Sequence, residues 1–232
     1  MHRVPASTIL PQRKAGARTA LVNLSDPARA MLAECFRQFG IEAVTVSANP
    51  AERLSREKFE ACVLPLTADA GSVMEAARTS NSNSRMIIYA LGGTAKDTIR
   101  YSKFGVNAMF HEPLERPAAL KLVRATQMLV QHEFRRYARI PIMTEVSVVA
   151  AEGASFTATS AEISSGGMSL TSAQDLTKGT SLELSFALLT LPRVWVRGVV
   201  SWRRGRLVGV RFDPTDERRR KIKDWINSYL EN

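Results

Sequence analysis

Two polar groups in the second half of the chain could together bind an anionic ligand. One is a run of arginines and the other is a short glycine-containing segment further along the chain: Arg135, Arg136 and Arg139, then Glu162, Ser164, Gly166 and Gly167. A guanidinium can donate two parallel hydrogen bonds to phosphate or to the O6/N7 edge of guanine, and its plane can stack on a base. A carboxylate can accept from the N–H groups of guanine, and a serine hydroxyl or a backbone N–H near glycine can contact phosphate. These residue types predict a site for a nucleotide-like anion.

Simpler interpretations of the same residues stay open at this point. Arg135 and Arg136 could belong to a solvated linker that suits the end of a helix, where cations are favourable. Residues 164–167 could form only a hairpin turn. Neither group alone is specific evidence for a ligand site, so the prediction depends on their order and spacing in the sequence.

Other conspicuous side chains have expected roles outside ligand binding. Trp202 and Phe212 are expected in a hydrophobic core, while Arg203 or Arg211 could border the site. The basic run at residues 218–221 is expected to be a solvated helix face, with contact to nucleic acid or membrane as the alternative.

Composition and motifs favour a binding protein over an enzyme. The net charge is +10, and the excess is divided evenly between the two halves of the chain, which argues against one dense basic face for duplex DNA. No catalytic triad order, metal-binding helix motif or glycine-rich phosphate loop occurs in the sequence. The three histidines and the two cysteines are scattered: His2, His111, His132, Cys35 and Cys62. We therefore expect no catalysis, no cofactor and no metal site.

The first half of the chain alternates short apolar strands with helical patterns. Strands are predicted at residues 19–24, 41–46, 59–66, 85–91 and 106–110, and helices from 26, at 50–58, 70–78 and 94–104, and from 114 to about 133. Because parallel strands need helical crossovers on both faces, this alternation predicts a doubly wound, flavodoxin-like α/β sandwich. Residues 1–18 are predicted to be a flexible basic arm.

The second half has a different pattern. Six closely spaced strands separated by glycine-containing turns are predicted at residues 140–149, 155–163, 168–170, 182–187, 193–203 and 207–212. A last helix is predicted at 214–230. Short strands with frequent turns favour a small six-stranded antiparallel β-barrel closed by a C-terminal helix.

The two polar groups carry a resemblance to a known family. Arg135-x-x-x-Arg139 followed by Glu162-x-Ser164-x-x-Gly167 resembles the paired signature of PilZ domains, R-x-x-x-R and then [D/N]-x-S-x-x-G. The resemblance implies that the ligand is cyclic di-GMP, clasped by the two arginines and contacted by the second group on the barrel. Arg136 and Gly166 lie inside the two motifs and are included in the expected site.

The resemblance extends to the end of the chain, with one departure. The segments GVVSW at 198–202 and GVRF at 209–212, followed by a helix, also resemble PilZ domains, so residues 134–232 are covered. Glu162 stands where the family pattern has Asp or Asn. Its extra methylene displaces the carboxylate by about a bond length, which we expect to lower affinity rather than alter the fold.

The first half resembles a response-regulator receiver domain. The best part is GVNAMFHEP at residues 105–113, which is similar to a receiver's fifth strand before a cis-proline. The resemblance covers residues 19–130 and implies that phosphoryl transfer would require an acidic cluster, an acceptor aspartate, a Ser or Thr and a lysine.

These receiver residues are largely missing. Pro65 stands at the expected phosphoacceptor position, Ala90 at the Ser/Thr position and Glu112 at the lysine position. Asp26 alone follows the first strand and is as easily a helix cap, and Asp69 is a possible displaced acceptor that fits better as the start of the next helix. Because magnesium needs several oxygen ligands and transfer needs an in-line acceptor, we expect a degenerate receiver without a phosphoacceptor.

Together these observations predict a cytoplasmic signalling adaptor. The expected domains are the arm at 1–18, the receiver-like domain at 19–130, whose long last helix acts as a linker, and the PilZ-like barrel at 131–232. The barrel would bind cyclic di-GMP and relay the signal through interdomain or protein–protein contacts. The alternative is an interaction scaffold that no longer binds nucleotide. The downstream partner is unknown, a homodimer stays open, nucleic acid is disfavoured, and no stretch approaches the roughly 18 apolar residues of a membrane span.

Overall fold

The computed structural model of the protein describes residues 16–151 and 153–231. Over this part, the chain forms two units, the first ending at Phe134 and the second beginning at Arg135. Most of the predicted basic arm lies outside the described residues, and Arg18, at its end, begins the first strand.

The first unit is built on five parallel strands. They are β1 (Arg18–Val22), β2 (Glu42–Val46), β3 (Ala61–Pro65), β4 (Ile87–Leu91) and β5 (Ala108–Phe110). Their order in the sheet is β2-β1-β3-β4-β5, which confirms the predicted flavodoxin-like topology. The helices of this unit are α1 (Asp26–Arg37), α2 (Pro50–Arg56), α3 (Ala70–Thr79), α4 (Ala95–Tyr101), a 3₁₀ turn (Ser102–Phe104) and α5 (Arg116–Tyr137).

The fourth strand, β4, has the composition of a strand in a sheet that helices cover on both faces. All five residues of β4 are apolar and buried, as expected for a strand with helices on both faces. Tyr89, at its centre, packs against Phe36 and Phe110 with ring centroids 5.6 Å and 5.5 Å away. Its hydroxyl donates to Thr126 Oγ1 at 2.8 Å, so the one polar group of the strand is satisfied.

The long helix α5 continues further than the sequence pattern predicted. Its predicted end was near Glu133, but that residue is buried and its carboxylate accepts a bond from Lys58 Nζ at 3.4 Å, which holds this turn against the sheet. The helix then runs to Tyr137. It stops as the chain approaches Ile140 and Pro141, because proline disfavours helical geometry in the preceding residue. Arg135 and Arg136 are therefore helical.

The second unit is a closed antiparallel barrel. Its strands are β6 (Ile140–Pro141), β7 (Glu145–Ala150), β8 (Ser155–Ser164), β9 (Gly167–Thr171), β10 (Ser181–Leu188), β11 (Leu191–Arg204) and β12 (Leu207–Phe212). The order β8-β7-β10-β11-β12-β9 closes through pairing of β9 with β8, which confirms the six-stranded barrel. The short β6 adds to the edge of β8.

The strand predicted at 140–149 is split in two. Ser160, buried on β8, interrupts the ladder between β6 and β7: its Oγ donates to Ile142 O at 2.6 Å and accepts from Thr144 N at 2.9 Å. The side chain of Ser160 thus adds two hydrogen bonds to the segment between β6 and β7, beside the backbone bonds from Ile142 N to Ala161 O and from Ser160 N to Thr144 O.

The last helix, α6 (Arg219–Glu231), buries Ile222, Trp225 and Ile226 against the barrel core. It begins later than the predicted position 214, because turns precede it. Asp216 is buried in these turns and accepts bonds from the backbone N–H groups of Arg197 and Arg218, at 2.8 Å and 3.0 Å. Of the helices within 16–151 and 153–231, none is long and apolar enough to cross a lipid bilayer.

Candidate ligand-binding site

A cavity of about 330 Å³ opens on the barrel where both predicted polar groups meet. Three stretches of chain line it: the segment from the end of α5 to the start of β6, the β8–β9 hairpin, and the neighbouring parts of β11 and β12. Strand pairing fixes these stretches relative to one another, because β9 pairs with both β8 and β12. The site is thus a feature of the closed barrel rather than of one loop.

Six of the seven predicted site residues line this cavity: Arg136, Arg139, Glu162, Ser164, Gly166 and Gly167. Arg135 lies on the last turn of α5, four residues before Arg139, and does not line it. The structure therefore brings together two groups that are separated in sequence, with Arg135 as the exception.

The pairing of β6 with β8 places Arg139 beside the carboxylate of Glu162. Pro141 lies opposite Glu162, and Ile140 is buried opposite Ile163, so the chain entering β6 is anchored next to β8. Arg139 Nη1 lies 3.7 Å from Glu162 Oε1, with the two side chains 64% and 40% exposed. An ion pair this long and this exposed contributes little to stability. Both groups are therefore available to a ligand at small cost.

The β8–β9 turn is held tightly by neighbouring groups. Ser164 Oγ donates to Gly167 O at 3.0 Å, and Gly166 O accepts from Phe212 N at 2.9 Å. A Cβ on Gly167 would overlap the carbonyl oxygen of Val210, so this position needs glycine for close backbone approach. Gly166 has open space around its Cα, and neither glycine has a positive φ. Close backbone approach therefore explains the glycine at 167 but not the one at 166.

Trp202 lines the cavity and is not buried in the core, which corrects the sequence expectation. Inward residues alternate along β11 up to Val200, and continued alternation would point residue 202 inward. A bulge between Val200 and Trp202 shifts this phase, leaving Trp202 38% exposed on the cavity wall. Gly209 lies opposite, where a Cβ would overlap the indole ring. Phe212 is buried in the core, as expected.

Arg211 and Tyr137 also line the cavity. Arg211 lies directly across from Gly167 in the β12–β9 pairing, and was one of two arginines considered for the border of the site. The other, Arg203, does not line it and instead forms an ion pair with Asp175. The register of the barrel strands distinguishes Arg211 from Arg203, because it sets which positions of β11 and β12 face the β8–β9 hairpin.

The cavity is electropositive. Its lining carries three guanidiniums, from Arg136, Arg139 and Arg211, against the single carboxylate of Glu162. Basic side chains therefore outnumber acidic ones in the lining, which favours an anionic ligand. Backbone N–H groups of the hairpin, the Ser164 hydroxyl and the indole face of Trp202 add hydrogen-bonding and stacking partners.

The carboxyl edge of the parallel sheet has a cavity of about 470 Å³, lined by Asp69 among others, but without the arginines that line the barrel cavity. Pro65 ends β3, as predicted, and Glu112 folds over Gly92, where any Cβ would overlap its carboxylate. Asp26 is paired with Arg29 at 2.6 Å within α1. Within the described part of the chain, no group of three or more His, Cys, Asp or Glu side chains could hold a metal ion.

Comparison with known proteins identifies the second unit. Residues 133–228 match the PilZ domain family, so the chain carries a PilZ domain over the barrel and most of its C-terminal helix. No curated protein matches the chain.

Two kinds of solved structure are similar to parts of the chain. The PilZ domain of CeSA from a cellulose-synthesizing bacterium is 16% identical and covers 41% of this chain and 99% of its own, with a TM-score of 0.35. The receiver domain of a sensor histidine kinase from Pseudomonas aeruginosa is 20% identical and covers 50% of this chain and 98% of its own, with a TM-score of 0.42. The chemotaxis response regulator CheY4 of Vibrio cholerae is 16% identical, covering 48% and 98%, also with a TM-score of 0.42.

Proposed function

We propose that this protein, which carries a PilZ domain, is a cytoplasmic signalling adaptor that binds cyclic di-GMP in the barrel cavity. The single observation that supports this most is the convergence of Arg136, Arg139, Glu162 and the Ser164–Gly167 turn on one electropositive cavity. Cyclic di-GMP carries two phosphodiester anions and two guanines. Guanidiniums bind both phosphate and the guanine O6/N7 edge, so the lining matches the ligand in charge and in hydrogen-bonding groups.

The ligand would be held from two sides. Arg139 reaches it from the chain entering β6, and the β8–β9 turn offers Ser164 and backbone N–H groups. Glu162 accepts from the N1–H and N2–H₂ edge of guanine, releasing its long contact to Arg139. The half-exposed indole of Trp202 provides a stacking surface for one base.

Relay of the signal would begin at α5. Arg136 occupies the last turn of this helix and also lines the cavity, so a phosphate bound there contacts the helix end directly. A bound anion stabilises one arrangement of the segment from Arg136 to Arg139 over others, which is the way a ligand shifts a conformational equilibrium. The output is then a contact with another protein rather than a reaction.

The proposal is tested by titrating cyclic di-GMP while following tryptophan fluorescence. Arg139→Ala should weaken binding roughly ten- to a hundredfold, because losing a charge-assisted hydrogen bond costs about 1.5–3 kcal/mol. Arg193→Ala is the matched control, since Arg193 is an exposed arginine of β11 that does not line the cavity. If the binding curve of Arg139→Ala superimposes on that of the parent, Arg139 does not contribute to ligand binding.

One observation favours a second function, the scaffold that no longer binds nucleotide. Glu162 already lies near Arg139 and is longer than the Asp or Asn of the family signature. If the ion pair and the longer side chain close the site, then cyclic di-GMP produces no saturable signal in the parent. Because Glu162→Ala removes the group that closes the site, it should then restore a saturable signal.

A further inference from the structure

Arg211 occupies a distinctive place in the cavity. It lies on β12, outside both sequence motifs, and faces the β8–β9 turn across the strand pairing with Gly167. In the order of paired strands, β8 and β9 lie between β6, which Arg139 precedes, and β12, which carries Arg211. The cavity is therefore bounded by cations on two sides: Arg136 and Arg139 on one, Arg211 on the other.

The charge on Arg211 is also uncommitted. Arg139 shares its charge with Glu162 at 3.7 Å, and Arg203, nearby on β11, is paired with Asp175. Within the described part of the chain, no carboxylate pairs with Arg211, whose side chain is exposed. A guanidinium that has no acidic neighbour and faces a concave surface can bind an anion without first breaking an ion pair.

We propose that Arg211 binds one of the two phosphates of the ligand, and that Arg136 and Arg139 bind the other. This inference rests on the proposed binding of cyclic di-GMP and assigns a ligand contact that the sequence motifs do not include. Opposed cations separated by the width of the cavity discriminate by geometry: a ligand with two spaced phosphates engages both sides, whereas a single phosphate engages one. Arg211 is thus a specificity-determining residue for a dianionic cyclic dinucleotide.

The test compares Arg211→Met, which keeps the length of the side chain but removes its charge, with Arg193→Met, the same change outside the cavity. Cyclic di-GMP is titrated calorimetrically into both variants and the parent at two salt concentrations. Arg211→Met should bind about tenfold more weakly or worse, and its affinity should depend less on salt, because one phosphate contact is missing. Arg193→Met should match the parent in both respects. Because Arg211 is exposed, we expect the parent and both variants to have equal thermal midpoints. Equal midpoints would show that a loss of affinity does not come from a loss of folded protein.

Each outcome separates this inference from the proposed function. If Arg139→Ala loses affinity while Arg211→Met stays within twofold of the parent, cyclic di-GMP binding stands and the role of Arg211 is wrong. Equal losses in Arg211→Met and Arg193→Met would mean that only overall charge matters, which also overturns it. Absence of binding by the parent removes both proposals.

Discussion

The turn before the last helix depends on one buried carboxylate, and its removal should destabilise the barrel. Asp216, 4% exposed at its side chain, accepts from Arg197 N at 2.8 Å, from Arg218 N at 3.0 Å and from Arg218 Nη2 at 2.8 Å. Asp216→Asn removes the charge and turns an NH₂ group towards these donors. A hydrogen bond to a charged group contributes about 1.5–3 kcal/mol, and the lower part of that range applies to the half-exposed Arg218.

We expect Asp216→Asn to lower the free energy of unfolding by about 2 kcal/mol. For a domain of this size the fall in Tm is then roughly 8–16 °C. Intrinsic fluorescence reports on the barrel selectively, because the three tryptophans, Trp195, Trp202 and Trp225, all lie in the second unit. Glu217→Gln is the matched control, since Glu217 is the exposed neighbouring carboxylate and should change little.

The effect should depend on pH in a defined direction. The hydrogen bonds from the Arg218 side chain, followed by those from backbone N–H groups, hold the pKa of Asp216 well below its usual range. A depressed pKa in the folded state adds stability that is present above the unfolded pKa of about 3.9 and is lost as the pH falls below it. The difference in Tm between parent and Asp216→Asn should therefore be full at pH 7 and shrink below about pH 4. Equal midpoints at pH 7, or a difference that persists unchanged into acid, would refute the assignment.

Three further predictions concern the cavity and the receiver-like unit. Gly209→Ala should displace the Trp202 indole, lower stability by about 1–3 kcal/mol and shift the tryptophan emission, as measured by thermal melts and spectra. Glu162→Asp should tighten cyclic di-GMP binding by less than about tenfold, because Asp keeps the charge with fewer rotamers to order, and Glu162→Ala should weaken it. Calorimetry at one salt concentration measures both variants against the parent, and equal affinities would mean that Glu162 lies outside the site. Acetyl phosphate with magnesium should leave the mass of the intact protein unchanged, because Pro65 replaces the acceptor, whereas a stable adduct on Asp26 or Asp69 would show misassigned strands.

Much of the architecture follows from local patterns in the sequence. The run of apolar residues in β4 is buried on both faces, and that alone distinguishes a covered parallel strand from a half-exposed one. Likewise, Ile140 and Pro141 mark the start of the barrel, and the two polar motifs converge on one cavity as their order suggested. These features depend on residues close in sequence or on a known spacing.

The two site features that the sequence did not predict, the orientation of Trp202 and the place of Arg211, depend on strand register. The side that Trp202 faces is decided by a bulge at residues 200–202, and simple alternation predicts the opposite side. Arg211 enters the site because β12 pairs with β9, a contact between distant parts of the chain. Nothing near either residue signals these pairings, although the exposed tryptophan beside Gly209 is consistent with a glycine that makes room for a ring.

The end of α5 shows a third kind of limit. Its sequence pattern weakens near Glu133, a charged residue that would normally face solvent. The structure buries it against Lys58, which lies 75 residues earlier, and the helix therefore continues to Tyr137. The burial of Glu133 beside Lys58 is a contact between distant parts of the chain, which the local pattern does not predict.

Calorimetric titration of cyclic di-GMP into the unmodified two-unit chain tests the central claim most directly. The account predicts saturable binding with a stoichiometric endpoint, weakened by added salt because phosphate contacts dominate the affinity. GTP, titrated under the same conditions, should compete poorly because it presents its phosphates as one linear chain. Absence of saturable heat at protein concentrations well above micromolar, with the barrel shown to be folded by its tryptophan emission, would contradict the proposed function.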